Sequence, residues 1–125
     1  MDPLERYRPI VDDYEAFREA CRRPLPAAVR VNTIKADPGT VAKAFDREGV
    51  GYERPDWTDL VFVLDTGTPG NTWPSFHGWV HGQEEVSAIP PMVLDPQPGE
   101  RVWDAAAAPG SKATQIAAAM DDRGT

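Results

Sequence analysis

Apolar positions recur along the first part of the chain at two spacings, one helical and one alternating. Across residues 10–21 they fall three or four residues apart, which predicts an amphipathic helix that Pro24 and Pro26 end. Across residues 28–32 β-branched residues alternate with others, which predicts a strand. The pattern therefore begins with a helix followed by a strand.

A second helix is predicted between Asp37 and Gly49. Aspartate is a favoured N-cap, Pro38 suits the first helical position, and glycine suits the residue that follows the last turn. The apolar residues that this helix is predicted to bury are Val41, Ala44 and Phe45.

Two further strands, residues 50–53 and 60–64, are predicted on either side of a polar turn. The first part of the chain is thus expected to form a small α+β unit, which we call the N-terminal module. Residues 65–78 are rich in Gly, Pro and Thr and predict a long ordered loop. We place the boundary near its end, with residues 1–78 as the N-terminal module and residues 79–125 as a second unit.

The second unit begins with weaker signals. Residues 79–81 predict a short strand, and residues 84–94 predict a helix that Pro90 and Pro91 should kink or split. A turn over residues 95–99 follows. This part is interpreted as a linker to the segment that carries the chemistry.

That segment is a loop of small residues, 104–112, between a predicted strand at 101–103 and a predicted helix at 113–120. It reads Asp-Ala-Ala-Ala-Ala-Pro-Gly-Ser-Lys, and we call it the small-residue loop. Small side chains let a ligand approach the backbone closely. A strand, a tight loop and a helix in this order are typical of a site for a nucleotide-like cofactor. The alternative is a plain strand-to-helix turn whose small residues serve packing.

Four positions of the loop have a predicted task. Asp104 can accept a hydrogen bond from an amino or hydroxyl group, Gly110 permits a turn that other residues disfavour, and Ser111 can cap the following helix. Lys112 falls in the first helical turn, where the helix dipole disfavours a cation, so it indicates an anion such as a carboxylate or phosphate nearby. The spacing matches neither a P-loop nor G-x-G-x-x-G.

Charge changes this picture. Twenty acidic residues face thirteen basic ones, the net charge is -7, and the lysines are Lys35, Lys43 and Lys112. Such a chain repels nucleic acid in ordinary salt, whereas near 1 M salt the Debye length falls to about 3 Å and the repulsion is screened. Either the partner is not nucleic acid or the protein works in high salt, and the aspartate-rich, lysine-poor composition fits a halophilic cytoplasm. One cysteine, Cys21, excludes an internal disulfide, and we expect no secretory signal and no membrane span.

The small-residue loop and its flanks resemble motif I of the Sun/Fmu-type RNA cytosine-C5 methyltransferases, D-x-C-A-A-P-G-[GS]-K-[ST]-x-Q-[IL]-A. The resemblance continues upstream, where residues 29–33 match an R-V-N-T segment and residues 82–84 match a G-Q-E segment. Ala106 stands where the family usually has a cysteine that is not the nucleophile. Ala113 stands where Ser or Thr is common.

The resemblance implies a fold with an α+β N-terminal module that binds RNA. After it comes the first strand, loop and helix of a Rossmann-like α/β methyltransferase domain, truncated here. It implies S-adenosylmethionine as the cofactor. The residues that it assigns to cofactor binding are Asp104, Ala106, Ala107, Ala108, Pro109, Gly110, Ser111 and Lys112.

The implied chemistry is attack of a cysteine thiolate on C6 of the cytosine, so that C5 can accept a methyl group, and a second cysteine assists release. In the family both cysteines lie well beyond motif I. We therefore expect no catalytic residue in this chain, a missing C-terminal catalytic domain, and no methyl transfer by these 125 residues alone. Cys21 precedes every matched motif and is interpreted as a semi-buried helix cysteine.

The partner implied by the resemblance is tRNA or rRNA. The candidate RNA contacts are Arg30, Asn32, Lys35 and Gln83, with Glu84 beside them. Structural roles compete with RNA contact: Arg30 could pair with Glu53 or Asp59, and Gln83 could cap the following helix or brace the small-residue loop.

Other aromatic and histidine residues leave alternatives open. Trp57, Trp73 and Trp79 could stack on bases or close the edge of a core. His77 and His81 have helical metal spacing but no third ligand, so we expect no metal. Two other functions compete with the RNA cytosine methyltransferase, namely a standalone RNA-binding accessory module with a vestigial cofactor loop and a methyltransferase for another substrate.

Overall fold

A four-stranded antiparallel sheet forms the centre of the computed structural model, which describes residues 2–125. Its strands are β1 (Ala27–Val31), β2 (Tyr52–Glu53), β3 (Val61–Leu64) and β4 (Val80–Gly82). They lie in the order β2-β3-β1-β4, and β1 pairs antiparallel with both β3 and β4. The strand that carries Arg30 is therefore internal to the sheet.

Helices and short 3-10 turns surround the sheet. The helices of the described range are α1 (Tyr14–Arg22), α2 (Pro38–Glu48), α3 (Trp73–Phe76), α4 (Ile89–Leu94) and α5 (Ser111–Ala119). The 3-10 turns span Glu5–Ile10, Pro69–Asn71 and Glu85–Ala88. The core between the sheet and α2 consists of Val29, Val31, Val41, Phe45, Phe62, Leu64 and Val80.

Helix α2 is confirmed in its bounds and its buried face. The Asp37 carboxylate accepts a hydrogen bond from the Thr40 backbone N–H at 2.9 Å, and Gly49 ends the helix with a φ of 68°. The buried residues of α2 are Val41, Ala44 and Phe45. Capping chemistry and helical spacing agreed in the sequence, so the prediction succeeded.

Replacing Asp37 with alanine is expected to lower the melting temperature at neutral pH, since the first turn of α2 loses its cap. Hydrogen bonds from the Thr40 side chain and backbone hold the pKa of Asp37 below its usual 3.8. A lowered folded-state pKa contributes stability that is complete above pH 3.8 and is lost as pH falls through the folded-state value. Thermal unfolding at neutral and strongly acid pH measures this. The exposed turn variant Asp56→Ala is the control, and an Asp37→Ala deficit undiminished in acid would contradict the assignment.

The first helix and the predicted loop before β4 differ from expectation. Helix α1 begins at Tyr14, because the Asp13 side chain caps the Ala16 backbone N–H at 2.9 Å and the preceding residues form a 3-10 turn. Cys21 lies on α1 as expected but is exposed, since Tyr14 is the buried residue of that short helix. Residues 65–78 contain α3, which the sequence analysis missed.

The sheet extends past the expected boundary near residue 78. Gly82 of β4 lies opposite Val29 of β1, so β4 completes the sheet of the N-terminal module. After β4 the predicted split of the next helix is present, as a 3-10 turn over Glu85–Ala88 followed by α4.

The strand predicted at residues 101–103 is not part of this sheet. Its backbone instead bonds to the residues after α5. The Gly99 N–H donates to the Arg123 carbonyl at 2.6 Å, the Thr125 N–H to the Glu100 carbonyl at 3.0 Å, and the Val102 N–H to the Thr125 carbonyl at 2.8 Å. Residues 99–102, which precede α5 in the chain, and residues 123–125, which follow it, therefore run parallel to each other. The pairing is too short for a regular strand.

Candidate functional site

Residues 105–109 of the small-residue loop are exposed, while Asp104 is half-buried. One Asp104 carboxylate oxygen accepts a hydrogen bond from the Ala106 backbone N–H at 2.9 Å. The other, Oδ2, is buried and has no hydrogen-bond partner among the described residues. The loop thus combines exposed small residues with one buried acceptor that has no hydrogen-bond partner among the described residues.

Gly110 and Thr114, rather than Ser111, shape the start of α5. Gly110 has a φ of 120°, a conformation that favours glycine, and it occupies the N-cap position without a side-chain cap. Ser111 is the first helical residue, so its predicted role as the cap is wrong. The Thr114 hydroxyl donates instead to the carbonyls of Gly110 at 2.8 Å and Ser111 at 3.2 Å.

Lys112 lies in the first turn of α5, as predicted, and is half-buried. Within residues 2–125 it forms no ion pair. The first N–H groups of a helix also lack intrahelical partners. An anion at this point would therefore meet a lysine and free backbone donors together.

A cavity of about 480 Å³ separates the small-residue loop from the N-terminal module. Residues from both sides line it: Pro26, Ala27, Ala28, Pro69, Gly82, Gln83, Glu84, Ser87, Ala107, Ala108, Pro109, Ser111 and Lys112. The sheet and the small-residue loop, which were predicted to belong to two separate units, thus line one cavity.

Behind this cavity a buried chain of hydrogen bonds, which we call the buried link, joins β1 to α5. Arg30 is 2% exposed, and its guanidinium donates to Gln83 Oε1 at 2.8 Å, to the Val31 carbonyl at 2.9 Å and to Thr114 Oγ1 at 3.2 Å. Gln83 Nε2 donates to Gln115 Oε1 at 2.7 Å. The buried link therefore consists of the buried side chains Arg30, Gln83 and Gln115 and of Thr114, which is exposed, at its end.

The buried link also fixes the turn before α4. Gln83 Nε2 donates to the Ser87 carbonyl at 3.1 Å, and Gln115 Nε2 donates to the Ala88 carbonyl at 2.8 Å. Every side chain in the link has a partner, which is what buried polar groups require. Burial lowers the pKa of Arg30 to about 10, so the guanidinium remains charged at neutral pH.

The structure separates the four candidate RNA contacts into two pairs. Arg30 and Gln83 are buried, and their polar atoms bind protein groups, so they join β1 to the first turns of α5. The pairing of Arg30 with Glu53 or Asp59 is wrong, since its partners are Gln83, Val31 and Thr114.

The other two candidates lie at the end of β1. The Asn32 amide donates to the Gly78 carbonyl at 3.2 Å, and the exposed Lys35 ammonium donates to the His77 carbonyl at 3.4 Å. Glu84 is exposed. Sequence reasoning did not assign a role to Thr114 and Gln115, although both fall within the matched motif.

Residues 2–125 contain no group of three or more side chains arranged to hold a metal ion. His77 Nδ1 lies 3.1 Å from the Trp73 carbonyl, while His81 is exposed on β4. No helix in this range has both the length and the apolar character needed to cross a bilayer.

Known proteins are similar to this chain in sequence and fold. The chain is 38% identical to the tRNA (cytosine(49)-C(5))-methyltransferase of Pyrococcus abyssi over 97% of its own length and 39% of that protein. It is 34% identical to the ribosomal RNA small subunit methyltransferase F of Shewanella amazonensis, over 91% of its length and 25% of that protein. The chain also resembles the crystal structure of a methyltransferase homologue from Pyrococcus horikoshii, with a TM-score of 0.81 and 34% identity. The match covers 91% of this chain and 38% of the homologue's chain.

The curated relatives given above are named as tRNA or ribosomal RNA methyltransferases. No protein-family model matches the chain. The resemblance to the Sun/Fmu-type RNA cytosine-C5 methyltransferases is nevertheless confirmed, and the chain corresponds to one portion of such proteins. It spans well under half the length of the relatives given above.

Proposed function

We propose that this chain is the N-terminal portion of an S-adenosylmethionine-dependent RNA cytosine-C5 methyltransferase that acts on tRNA or rRNA. The observation that carries the proposal is the likeness to the Pyrococcus abyssi enzyme, which extends over 97% of the chain and includes the small-residue loop. The alternative of a standalone accessory module is not favoured, because the relatives are named as methyltransferases.

The small-residue loop fits S-adenosylmethionine by its chemistry. Asp104 Oδ2 is a buried acceptor without a partner, and the exposed alanines leave the backbone open to a ligand. Lys112 and the first N–H groups of α5 suit a carboxylate such as that of the methionine moiety. The residues proposed to hold the cofactor are Asp104, Ala106, Ala107, Ala108, Pro109, Gly110, Ser111 and Lys112. When bound, the cofactor supplies an electrophilic methyl group.

The second unit is proposed to begin a Rossmann-like domain. Residues 99–102 and 123–125 pair in parallel across α5, and a strand, a helix and a parallel strand are the repeating unit of such a sheet. Because β4 belongs to the first sheet, we propose that the N-terminal module ends just after Gly82 rather than near residue 78.

RNA contact is proposed for the exposed cation Lys35 and for Asn32, while the buried link holds the small-residue loop against the N-terminal module. The net charge of -7 is proposed to reflect a halophilic cytoplasm, where high salt screens repulsion from RNA. Methyl transfer is therefore expected to tolerate or require high salt.

The test is methyl transfer by the protein encoded by the complete reading frame, with labelled S-adenosylmethionine and tRNA or rRNA transcripts. Nucleoside mass spectrometry should find 5-methylcytidine, whereas residues 1–125 alone should give no turnover. Lys112→Met should raise the KM for S-adenosylmethionine about 10- to 100-fold, because a charged interaction with the cofactor is lost.

Lys112→Arg is the matched control, since it keeps the positive charge in the first turn of α5. It should retain most of the cofactor affinity. Methylation of another base or position would defeat the proposed reaction. An unchanged KM for S-adenosylmethionine in Lys112→Met would show that Lys112 does not bind the cofactor. It would not contradict the proposed reaction.

A further inference from the structure

A groove of about 1090 Å³ lies between α2 and α3, away from the small-residue loop. Its lining includes Lys43 and Arg47 on α2, and Trp73 and Phe76 on α3. We call it the aromatic groove.

The aromatic side of this groove presents large rings to solvent. Phe76 is 84% exposed and Trp73 is 55% exposed. The Trp73 ring lies 6.4 Å from Phe76 and 4.1 Å from the His77 ring, and His77 lies 5.6 Å from Trp79. Four rings thus form a continuous row, in which Trp73 and Phe76 are exposed and His77 and Trp79 are half-buried. Exposed rings are a surface on which flat ligands stack.

The row is held in place although it is exposed. Both Glu48 carboxylate oxygens lie 3.0 Å from the Trp73 backbone N–H. Thr72 Oγ1 donates to the Pro69 carbonyl at 3.0 Å, and Pro74 is fully buried. These contacts fix the backbone of α3. The exposed rings therefore project from a segment that hydrogen bonds and packing hold in place. A ligand that stacks there meets a preorganised surface.

The facing side of the groove carries positive charge on an acidic chain. Within the described residues Lys43 and Arg47 form no ion pair. Lys35, at the end of β1, bonds the His77 carbonyl and so lies beside the row of rings. Lys43 thus lines the groove and Lys35 contacts the backbone of His77, on a chain whose net charge is -7. The one carboxylate in the lining, Glu48, is engaged by the Trp73 N–H.

Proteins hold single-stranded nucleic acid with two kinds of side chain, exposed aromatic rings and cations that have no ion-pair partner. Bases stack on the rings, and the cations follow the phosphates. An apolar peptide would use the rings but leave Lys43 and Arg47 without counter-charges. We propose that the aromatic groove binds an unpaired stretch of the RNA substrate. This inference rests on the proposed function.

Binding of a fluorescein-labelled single-stranded RNA to the 125-residue chain, followed by anisotropy at low salt, tests the proposal. Phe76→Ala and Trp73→Ala should each weaken binding about tenfold or more, because a stacking partner is lost. Arg47→Gln should weaken binding and reduce the slope of log K against log salt by about 0.7. Tryptophan fluorescence of the chain should be quenched on binding.

Matched controls lie elsewhere on the surface. Trp103→Ala removes a ring that is 89% exposed, and Arg23→Gln removes an exposed arginine; both should leave RNA affinity unchanged. The proposal would be overturned if the original chain did not bind RNA. It would also be overturned if the groove variants bound RNA with the same affinity as the original chain. Sedimentation showing self-association that Phe76→Ala abolishes while RNA affinity is unaltered would overturn it too.

Methylation by the protein encoded by the complete reading frame separates this proposal from the proposed function. If that protein forms 5-methylcytidine and the groove variants match it in KM for RNA, the groove assignment fails and the function stands. If it forms none, the function fails, and the direct binding measurements still decide the groove.

Discussion

Phe45→Ala is expected to cost about 3–5 kcal/mol of unfolding free energy, the largest loss of any single change considered for this chain. Phe45 has no exposed surface, and its ring lies 5.6 Å from Phe62 and 5.9 Å from Tyr52. Truncation removes these contacts and leaves a cavity between α2 and the sheet. Domains of this size are stable by only about 5–15 kcal/mol, so much of the margin would disappear. Urea denaturation followed by circular dichroism measures the loss.

Phe76→Ala provides a matched comparison, because the same side chain is removed from a position that is 84% exposed. We expect a change of no more than about 0.5 kcal/mol. If both variants lost equal stability, the division between core and aromatic groove would be wrong. A nearly neutral Phe76→Ala also means that its effect on RNA binding is not an effect of unfolding.

Arg30→Met is expected to destabilise the chain by about 2 kcal/mol and to loosen α5. The change leaves Gln83 Oε1 and the Val31 carbonyl buried without their donor, and each such group costs about 1–3 kcal/mol. Part of that cost is offset, because burying the guanidinium is itself unfavourable, as its lowered pKa indicates. Chemical denaturation gives the loss, and faster hydrogen exchange of the α5 amides reports the loosening.

Two further variants decide whether the buried link acts as a unit. Arg23→Met removes an exposed arginine and should be nearly neutral. Gln83→Leu combined with Arg30→Met should show an interaction energy above about 0.5 kcal/mol, because the two side chains share a hydrogen bond. Strict additivity of the two changes would argue against a coupled link.

Local signals explain why α2 could be predicted and α3 was not. Asp37, Pro38 and Gly49 mark the ends of α2, and its apolar face has helical spacing, so all the local preferences agree. The segment with α3 is short and rich in Gly, Pro and Thr, which favours a loop. The one local signal for this helix was Thr72, a favoured N-cap residue directly before α3. Its side chain accepts a hydrogen bond from the Ser75 backbone N–H.

The buried link could not be derived from sequence periodicity. Arg30 follows Val29 on β1 and so points to the opposite face of the strand, where alternation predicts solvent. The structure covers that face with α5 and the turn before α4. The partners lie 53 and 84 residues away along the chain, so no local pattern joins them. The motif match placed Arg30, Gln83 and Gln115 in three separate segments, and only the fold brings them together.

The geometry of the buried link also limits what protein engineering can do with the small-residue loop. Thr114 orients the carbonyls at the start of α5, and Arg30, on β1 of the antiparallel sheet, donates a hydrogen bond to Thr114. A graft of residues 104–119 onto a foreign scaffold would leave behind the arginine and the glutamine that hold the loop in shape. The transplantable unit is therefore discontinuous, and a chimaera that keeps its own β1 would need these side chains rebuilt beneath the insert.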